Sequence, residues 1–359
     1  MCGYCSPRLP EGVQMPRLVV ASTREGAGKT SAIIGMARTL QKPVGYMKPF
    51  GDRLLYRKKR LWDYDSALVV NILGLDSEPE EMSIGFDHSK LRFMYDQAST
   101  RAKLGQLLAQ IEEGKQLVFI EAGKDLGFGG SVHLDALTVA QHAEAQLLLV
   151  ASGPEDEILD DLQFFKHHID LRGVPLIGAI ANQVKDPDDF ENTYRRHIDE
   201  LGIPLLGVIP FDAELTHPSV GFLAGVLFAK ILSGEGQLDR TVKHIFVGAM
   251  DADAARREPR FAEEQRLVIT SGDRSDMILA ALEGDTVGIV LTNNVMPPAN
   301  IISQVAERGV PMLLVAEDTY QVAKRIDDIE HLLTKEESDK IARLTTMVQE
   351  HVNLQKLGA

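Results

Sequence analysis

The residues best suited to chemistry form one run, Ala21-Ser22-Thr23-Arg24-Glu25-Gly26-Ala27-Gly28-Lys29-Thr30-Ser31. An apolar, β-branched stretch at 18–21 leads into it and a helical pattern to residue 40 leads out. Strand, glycine-bearing loop and helix in that order are the context of a phosphate-binding loop. Gly26 and Gly28 let the backbone bend so that successive N–H groups converge on phosphate oxygens. The following helix adds the positive end of its dipole. Lys29 supplies an ammonium for the β- and γ-phosphates, and Thr30 a hydroxyl for Mg²⁺. Thr23 stands where the common G-x-x-x-x-G-K-[ST] pattern has its first glycine. Arg24 has two readings: a cation that reaches the phosphates of a dimer partner, or an exposed loop residue.

Further candidates lie at the ends of apolar runs. Lys48 follows the run at 43–47, and Glu121 follows the run at 117–120. Both positions fall on the carboxyl edge of a parallel sheet, where open α/β sheets bind ligands. Asp65 and Glu121 are hard oxygen donors of the kind Mg²⁺ takes beside substrate phosphates. Asp63 is an alternative ligand, Asp65 is alternatively a helix cap, and Lys48 before Pro49 is alternatively a solvated turn residue.

The elements that must position these residues alternate. Strands are expected at 18–21, 43–47, 117–120, 146–150, 176–181 and 205–209. Helices are expected at 30–40, 65–73, 100–113, 134–142, 155–171 and 188–201. Uniformly apolar strands separated by helices imply a parallel sheet buried on both faces. The rhythm restarts near residue 212. A helix is expected at 218–232, strands at 242–247, 267–270, 287–291 and 311–315, and helices at 276–282, 299–308 and 319–329. In the tail, Ile341, Leu344, Met347, Val348 and Val352 stand near helical spacing, which predicts an amphipathic helix for packing or dimerisation.

The ordered motifs of the first part resemble those of dethiobiotin synthetase and its relatives, across about residues 16–215. Ser22-Thr23 stands for the opening Gly-Thr pair of that family's phosphate loop. Val44-Gly45-Tyr46-Met47-Lys48-Pro49 is similar to its second-strand motif, Asp63-Tyr64-Asp65 to its next magnesium motif, and Phe119-Ile120-Glu121-Ala122-Gly123 to its strand-end glutamate. Ile180-Ala181-Asn182 and Val208-Ile209-Pro210-Phe211-Asp212 are similar to its nucleotide-base elements. The resemblance implies ATP and Mg²⁺ as cofactors. It implies Thr30, Asp65 and Glu121 as metal ligands, Lys29 and Lys48 as the residues facing transferred charge, and the loop from Ser22 to Ser31 with Asn182 and Pro210 as the nucleotide site. The segment Glu121–Gly130 departs from the family, being longer and more charged, and it puts the substrate end in question.

The second part resembles the DRTGG domain, on Asp239-Arg240-Thr241, Ser271-Gly272-Asp273-Arg274, Thr292-Asn293-Asn294 and Asp318-Thr319. That domain stands beside a dethiobiotin-synthetase-like domain at the N-terminus of long phosphate acetyltransferases, as a regulatory module. Gly272, Asp273 and Arg274 are candidates for a second small anionic ligand. The alternative is a turn in which Asp273 caps the next helix and Arg274 pairs with it. Nothing after residue 330 resembles an acetyltransferase domain, so the expectation is the regulatory half standing alone.

Composition sets the outer limits. A length of 359 residues predicts two domains at about 150 residues each. The expected division is a leader at 1–15, domains at 16–215 and 216–330, and a helical tail at 331–359. Thirty-eight Lys and Arg against 52 Asp and Glu give a net charge of −14, which opposes nucleic acid and anionic membrane. Two cysteines, Cys2 and Cys5, make no disulfide framework and half of a zinc site at most. No apolar run reaches membrane-spanning length. The expectation is a cytoplasmic, homodimeric, ATP-Mg²⁺-binding α/β regulator with a phosphate-loop domain and a smaller DRTGG-like α/β domain. The rival is an ATP-dependent ligase acting on a carboxylate or carbamate.

Overall fold

The computed structural model describes residues 16–57, 60–328 and 333–357; Cys2 and Cys5 lie outside the described residues. The chain forms two compact units. One takes the described residues up to Asp212 together with those from Ser338 onward, and the other is Ala213–Glu337.

The first unit is built on a six-stranded sheet of β1 (Arg17–Ser22), β2 (Val44–Met47), β5 (Leu117–Glu121), β6 (Gln146–Ser152), β7 (Leu176–Val184) and β8 (Leu205–Pro210), in the order β2-β5-β1-β6-β7-β8. Every pairing is parallel. Strands β2 and β5 are buried along their whole length, as uniformly apolar strands in a covered parallel sheet must be. The register opposes Val20 to Glu121 and Met47 to Ile120, so the loop after β1, Lys48 after β2 and Glu121 at the end of β5 share one edge. The strand order reverses around β1, and such a reversal opens a crevice at the carboxyl edge.

Between β2 and β5 lies a feature that hydrophobic pattern did not signal. Strands β3 (Leu54–Arg57) and β4 (Arg60–Asp63) form an antiparallel hairpin that ends at helix α2 (Tyr64–Leu73). The helix expected across 188–201 is interrupted. A π-turn at Phe190–Tyr194 separates Pro187–Asp189 from Arg195–Glu200. Phe190 is fully buried and its ring stacks on Tyr194 with centroids 5.5 Å apart; the wider turn coincides with that ring pair.

Helix α1 (Lys29–Leu40) carries the phosphate loop on its N-terminus and packs against the terminal helix Ser338–His351. Ile341, Leu344, Met347 and Val348 are buried there. Thr39 Oγ1 donates to the Thr345 carbonyl at 3.4 Å, beyond its stronger bond to Gly35 O at 2.8 Å. The chain then pairs Val352 with Gly207 of β8, and Asn353 N donates to Leu206 O at 2.8 Å. The contact is close enough to require glycine: a Cβ on Gly35 would lie 2.4 Å from Val348 Cγ2.

The second unit holds β10 (His244–Val247), β11 (Arg266–Ser271), β12 (Thr286–Thr292) and β13 (Met312–Leu314) in parallel, with β9 (Lys230–Ser233) antiparallel on β13. The helix expected across 218–232 is therefore corrected. It runs only Val220–Val226, starting where Ser219 accepts from Phe222 N, and the chain turns at Phe228 (φ +49°) into β9. The same apolar run suits a buried helix or a strand, and the open edge of β13 decides it. Alternate residues of β11 and β12 enter two cores: Val268, Ile289 and Leu291 on one face, Leu267, Ile269 and Val290 on the other.

Gly35→Ala tests the terminal-helix contact. Helix propensity alone favours Ala by about 1 kcal/mol, but overpacking costs about 1–3 kcal/mol. The variant is expected to lose about 1 kcal/mol in denaturant titration. Val348→Ala is expected to recover stability in the Gly35→Ala background, so that the pair is non-additive by roughly 1 kcal/mol.

Candidate functional site

Two left-handed glycines shape the loop after β1: Gly26 at φ +75° and Gly28 at φ +85°. Gly28 is required on two counts. Its backbone lies where L-residues are strained, and a Cβ there would sit 2.3 Å from Asn182 Nδ2. Asn182, on β7, donates that Nδ2 to the Ala27 carbonyl at 2.9 Å. Asn182 thus braces the loop from a neighbouring strand, a contact its expected role at the base did not include. Pro210 closes β8 at the same end of the sheet, opposite Val184.

Helix α1 begins at Lys29 with no side-chain cap and no acid in its first turn. Its first N–H groups and its dipole therefore meet the loop without an acid of the helix's own. Lys29 is buried. Its Nζ donates to Ser22 Oγ at 2.8 Å and to the Lys124 carbonyl at 3.2 Å, and burial pulls its pKa below the ordinary lysine value. Thr23 Oγ1 is buried without a partner. A hydroxyl left over in a loop with exposed N–H groups and a buried ammonium fits a phosphate oxygen.

Glu121 joins this loop to the rest of the site. Its Oε1 accepts from Thr30 Oγ1 at 2.8 Å and its Oε2 from Tyr46 Oη at 2.9 Å. Burial, incompletely offset by Lys48, pushes its pKa up to about 7. Beside it, Lys48 Nζ lies 2.5 Å from both Asp52 Oδ1 and Asp65 Oδ2, 3.6 Å from Asp63 and 3.9 Å from Glu121. Burial alone would lower the Lys48 pKa, but Glu121, Asp65, Asp63 and Asp52 together outweigh it and raise it. Asp65 is drawn below the usual carboxylate range by Lys48 and Arg53 in spite of burial, whereas burial raises Asp63.

The two neighbouring aspartates divide the work differently from the helix-cap alternative for Asp65. Asp63 is the cap of α2. Its Oδ1 accepts from Ser66 N at 2.9 Å, and its Oδ2 accepts from the backbone N–H groups of Asp52 and Arg53 at 3.1 and 3.2 Å. Asp65, one residue inside the helix, instead meets Lys48 and Arg53. Thr30, Glu121, Lys48 and Asp65 therefore converge. The oxygens of Thr30, Glu121 and Asp65 are hard donors of the kind Mg²⁺ takes, with Thr30 and Glu121 already in contact.

Arg24 points elsewhere, binding Asp161 at 2.7 Å through Nε and also pairing with Glu157. Both acids belong to helix Glu155–His168 of its own chain. Glu25 pairs with Lys124 Nζ at 2.7 Å. Ala27 is buried and Ser31 half-buried within the first turn. Tyr46, Asp52 and Lys124 were not singled out from sequence. Tyr46 and Lys124 lie inside the motifs that drew attention, and Asp52 stands four residues beyond Lys48.

In the second unit, Asp273 does not cap the helix Ser275–Ala281, which starts without a side-chain cap. Arg274 pairs with Asp276 at 3.1 Å and donates to the Met250 carbonyl at 2.8 Å. Gly272 passes so close to Val295 that a Cβ would lie 1.8 Å from its carbonyl oxygen. The glycine there serves backbone packing.

A family model described as an AAA domain matches residues 16–219, more than half of the chain. The chain belongs to that family. A second model, the DRTGG domain, matches residues 223–329, so a phosphate-loop domain is fused to a DRTGG domain. Phosphate acetyltransferase of Nitratidesulfovibrio vulgaris is 23% identical over 95% of this chain and 51% of its own length. That of Pseudomonas putida is 26% identical over 94% of this chain and 51% of its own length. The chain spans about half the length of the curated relatives it matches. Among solved structures, a ParA family ATPase from Chlorobium tepidum aligns at 12% identity over 56% of this chain and 87% of its own, with a TM-score of 0.34. The CBS and DRTGG regulatory region of Clostridium perfringens pyrophosphatase, complexed with diadenosine tetraphosphate, aligns at 18% identity over 34% of this chain and 50% of its own, with a TM-score of 0.29. No helix among the described residues is long and apolar enough to cross a membrane.

The raised pKa of Glu121 carries a signed stability effect. A carboxyl whose folded pKa lies above its unfolded value favours folding when protonated. That contribution is full below about pH 4.5 and is lost as pH rises to 7. Glu121→Gln is therefore expected to flatten the pH dependence of stability between pH 4.5 and 7, and to stabilise the protein more at pH 8 than at pH 5, read by denaturant titration in magnesium-free buffer.

Proposed function

We propose that this chain is a nucleotide-responsive regulatory protein that binds ATP with Mg²⁺ at the loop Ser22–Ser31. The observation that carries the reading is the hydrogen bond from Thr30 to Glu121, which joins the loop's hydroxyl to a buried strand-end carboxylate. Lys29 neutralises the β- and γ-phosphate oxygens, and the first N–H groups of α1 with Thr23 Oγ1 complete the cradle. Thr30, Glu121 and Asp65 hold Mg²⁺, which offsets phosphate charge and fixes the triphosphate's geometry. Residues 16–215 act as the nucleotide domain and 216–330 as the module that responds to it.

A regulatory role is supported by the fusion of the phosphate-loop domain to a DRTGG domain. The state of Lys48 supports it as well. A ligase needs that ammonium for the transferred phosphoryl group, whereas here it is engaged by Asp52 and Asp65. The segment after Glu121 also fills the space beside it: Phe128 packs against Gly123 and stacks on Phe50, with centroids 4.9 Å apart.

Turnover of ATP is expected to be slow and unchanged by added carboxylates or carbamates. A strong rise with one acceptor would replace the regulatory reading by the ligase. Lys29→Ala is expected to weaken MgATP binding by about tenfold or more, the worth of charge-assisted hydrogen bonds; unchanged affinity in calorimetry would remove the phosphate site.

Because magnesium ligation needs the Glu121 carboxylate, MgATP affinity is also expected to depend on pH. The proton competes below pH 7, so affinity falls as pH drops from 7 to 5, by up to about tenfold per unit. The same titration with Glu121→Gln is expected to be weak throughout and nearly flat.

A further inference from the structure

The segment after β5 reaches back over the phosphate loop at one residue. The Lys124 carbonyl lies 3.2 Å from both Lys29 Nζ and Ser22 Oγ, and Lys124 Nζ pairs with Glu25 on the loop at 2.7 Å. The turn that presents it is held from within. Asp125 Oδ1 accepts from the N–H groups of Gly127 and Phe128 at 2.8 and 2.9 Å, and Phe128 is packed on Phe50. Lys124 is thus presented to the Lys29 ammonium by a turn with its own bracing.

The cations around this edge differ in how firmly they are held. Lys48 lies buried between two carboxylates at 2.5 Å. Arg24 is gripped by two acids of one helix. Lys124 is in contact with Glu25, with Asp52 a more distant acid, and the side chains of the pair are 38% and 54% exposed. Exposed pairs contribute little to stability, so this one is the easiest to exchange. The Lys124 carbonyl, a neutral acceptor, also holds the ammonium that a phosphate oxygen would hold more strongly.

We propose that Lys124 is a further nucleotide-binding residue, whose ammonium leaves Glu25 for the terminal phosphate of ATP. The proposal rests on the reading of Ser22–Ser31 as a nucleotide site. A phosphate arriving at Lys29 displaces the Lys124 carbonyl. The residue then turns its flexible four-carbon stem from Glu25 to the new anion, which starts within one residue of its own backbone. The contact is to the γ-phosphate, so it separates ATP from ADP. Glu25 is the competing partner that keeps the cation in place when no such anion is bound. The exchange also links the phosphate loop to the segment 122–130, where the sequence departs from the dethiobiotin synthetase pattern it otherwise resembles.

The test is calorimetric titration of the full chain with MgATP and MgADP, in wild type, Lys124→Ala, Glu25→Gln, the double variant and Lys29→Ala. Lys124→Ala is expected to weaken ATP about tenfold while changing ADP less than about twofold. Glu25→Gln is expected to tighten ATP several-fold when Lys124 is present, and clearly less in the Lys124→Ala background. Equal loss of ATP and ADP in Lys124→Ala, no loss of either, or additive single effects overturns the proposal while leaving the nucleotide site standing. Failure of the wild type to bind either nucleotide, or wild-type affinity in Lys29→Ala, overturns both. Unchanged denaturation midpoints of the variants ensure that the affinities report binding rather than folding.

Discussion

The contact between Thr30 and Glu121 is the constraint around which the first unit is arranged. It joins the first turn of α1 to the end of β5, with Lys29 beside one end and Tyr46 bonded to the other. The contact exists because β1 and β5 are adjacent and in a register that opposes Val20 to Glu121. A register slip by one residue would turn Glu121 to the other face of the sheet. The carboxylate is almost wholly removed from water, which costs energy unless each oxygen finds a donor. Thr30 and Tyr46 supply those donors, and Lys48 supplies nearby positive charge.

The buried lysine and its carboxylates form the second layer of this arrangement. Four acids around one ammonium would repel one another if each were ionised and unpaired. The hairpin of β3 and β4 relieves this by giving Asp63 its own work, accepting from Ser66, Asp52 and Arg53 backbone groups at the start of α2. Asp65 is left to share Lys48 with Asp52. The step from the cap into the first turn of α2 thus separates a structural acid from an acid able to serve a ligand, although only Tyr64 stands between them.

Sequence was most informative where a short stretch dictates its own geometry. Gly26, Gly28 and Lys29 between an apolar strand and a helix define the loop wherever the rest of the chain goes, and uniformly apolar strands locate the parallel sheet. It was least informative where a distant partner decides. The apolar run at 218–232 splits into helix and strand because β13 has an open edge. Asn182 braces Ala27 from 155 residues away. Asp63 rather than Asp65 is the cap because a hairpin of weak hydrophobic alternation delivers it. Lys124 looked like one charge among several in a lengthened loop, since its nearness to Lys29 arises only after β1 and β5 pair.

The seat of the terminal helix against α1 has a consequence for how the protein is made. The hydrogen bond from Thr39 to Thr345 joins positions 306 residues apart, and the whole second unit is synthesised between them. During translation, at about 5–20 residues per second, the apolar flank of α1 around Gly35 must wait for its cover while an entire neighbouring unit emerges. Folding of that intervening unit shortens the effective loop that the last helix must close, which lowers the entropic cost of its return. The phosphate-loop unit is therefore completed after the second unit although it begins before it. Its maturation is timed by the unit it encloses in sequence.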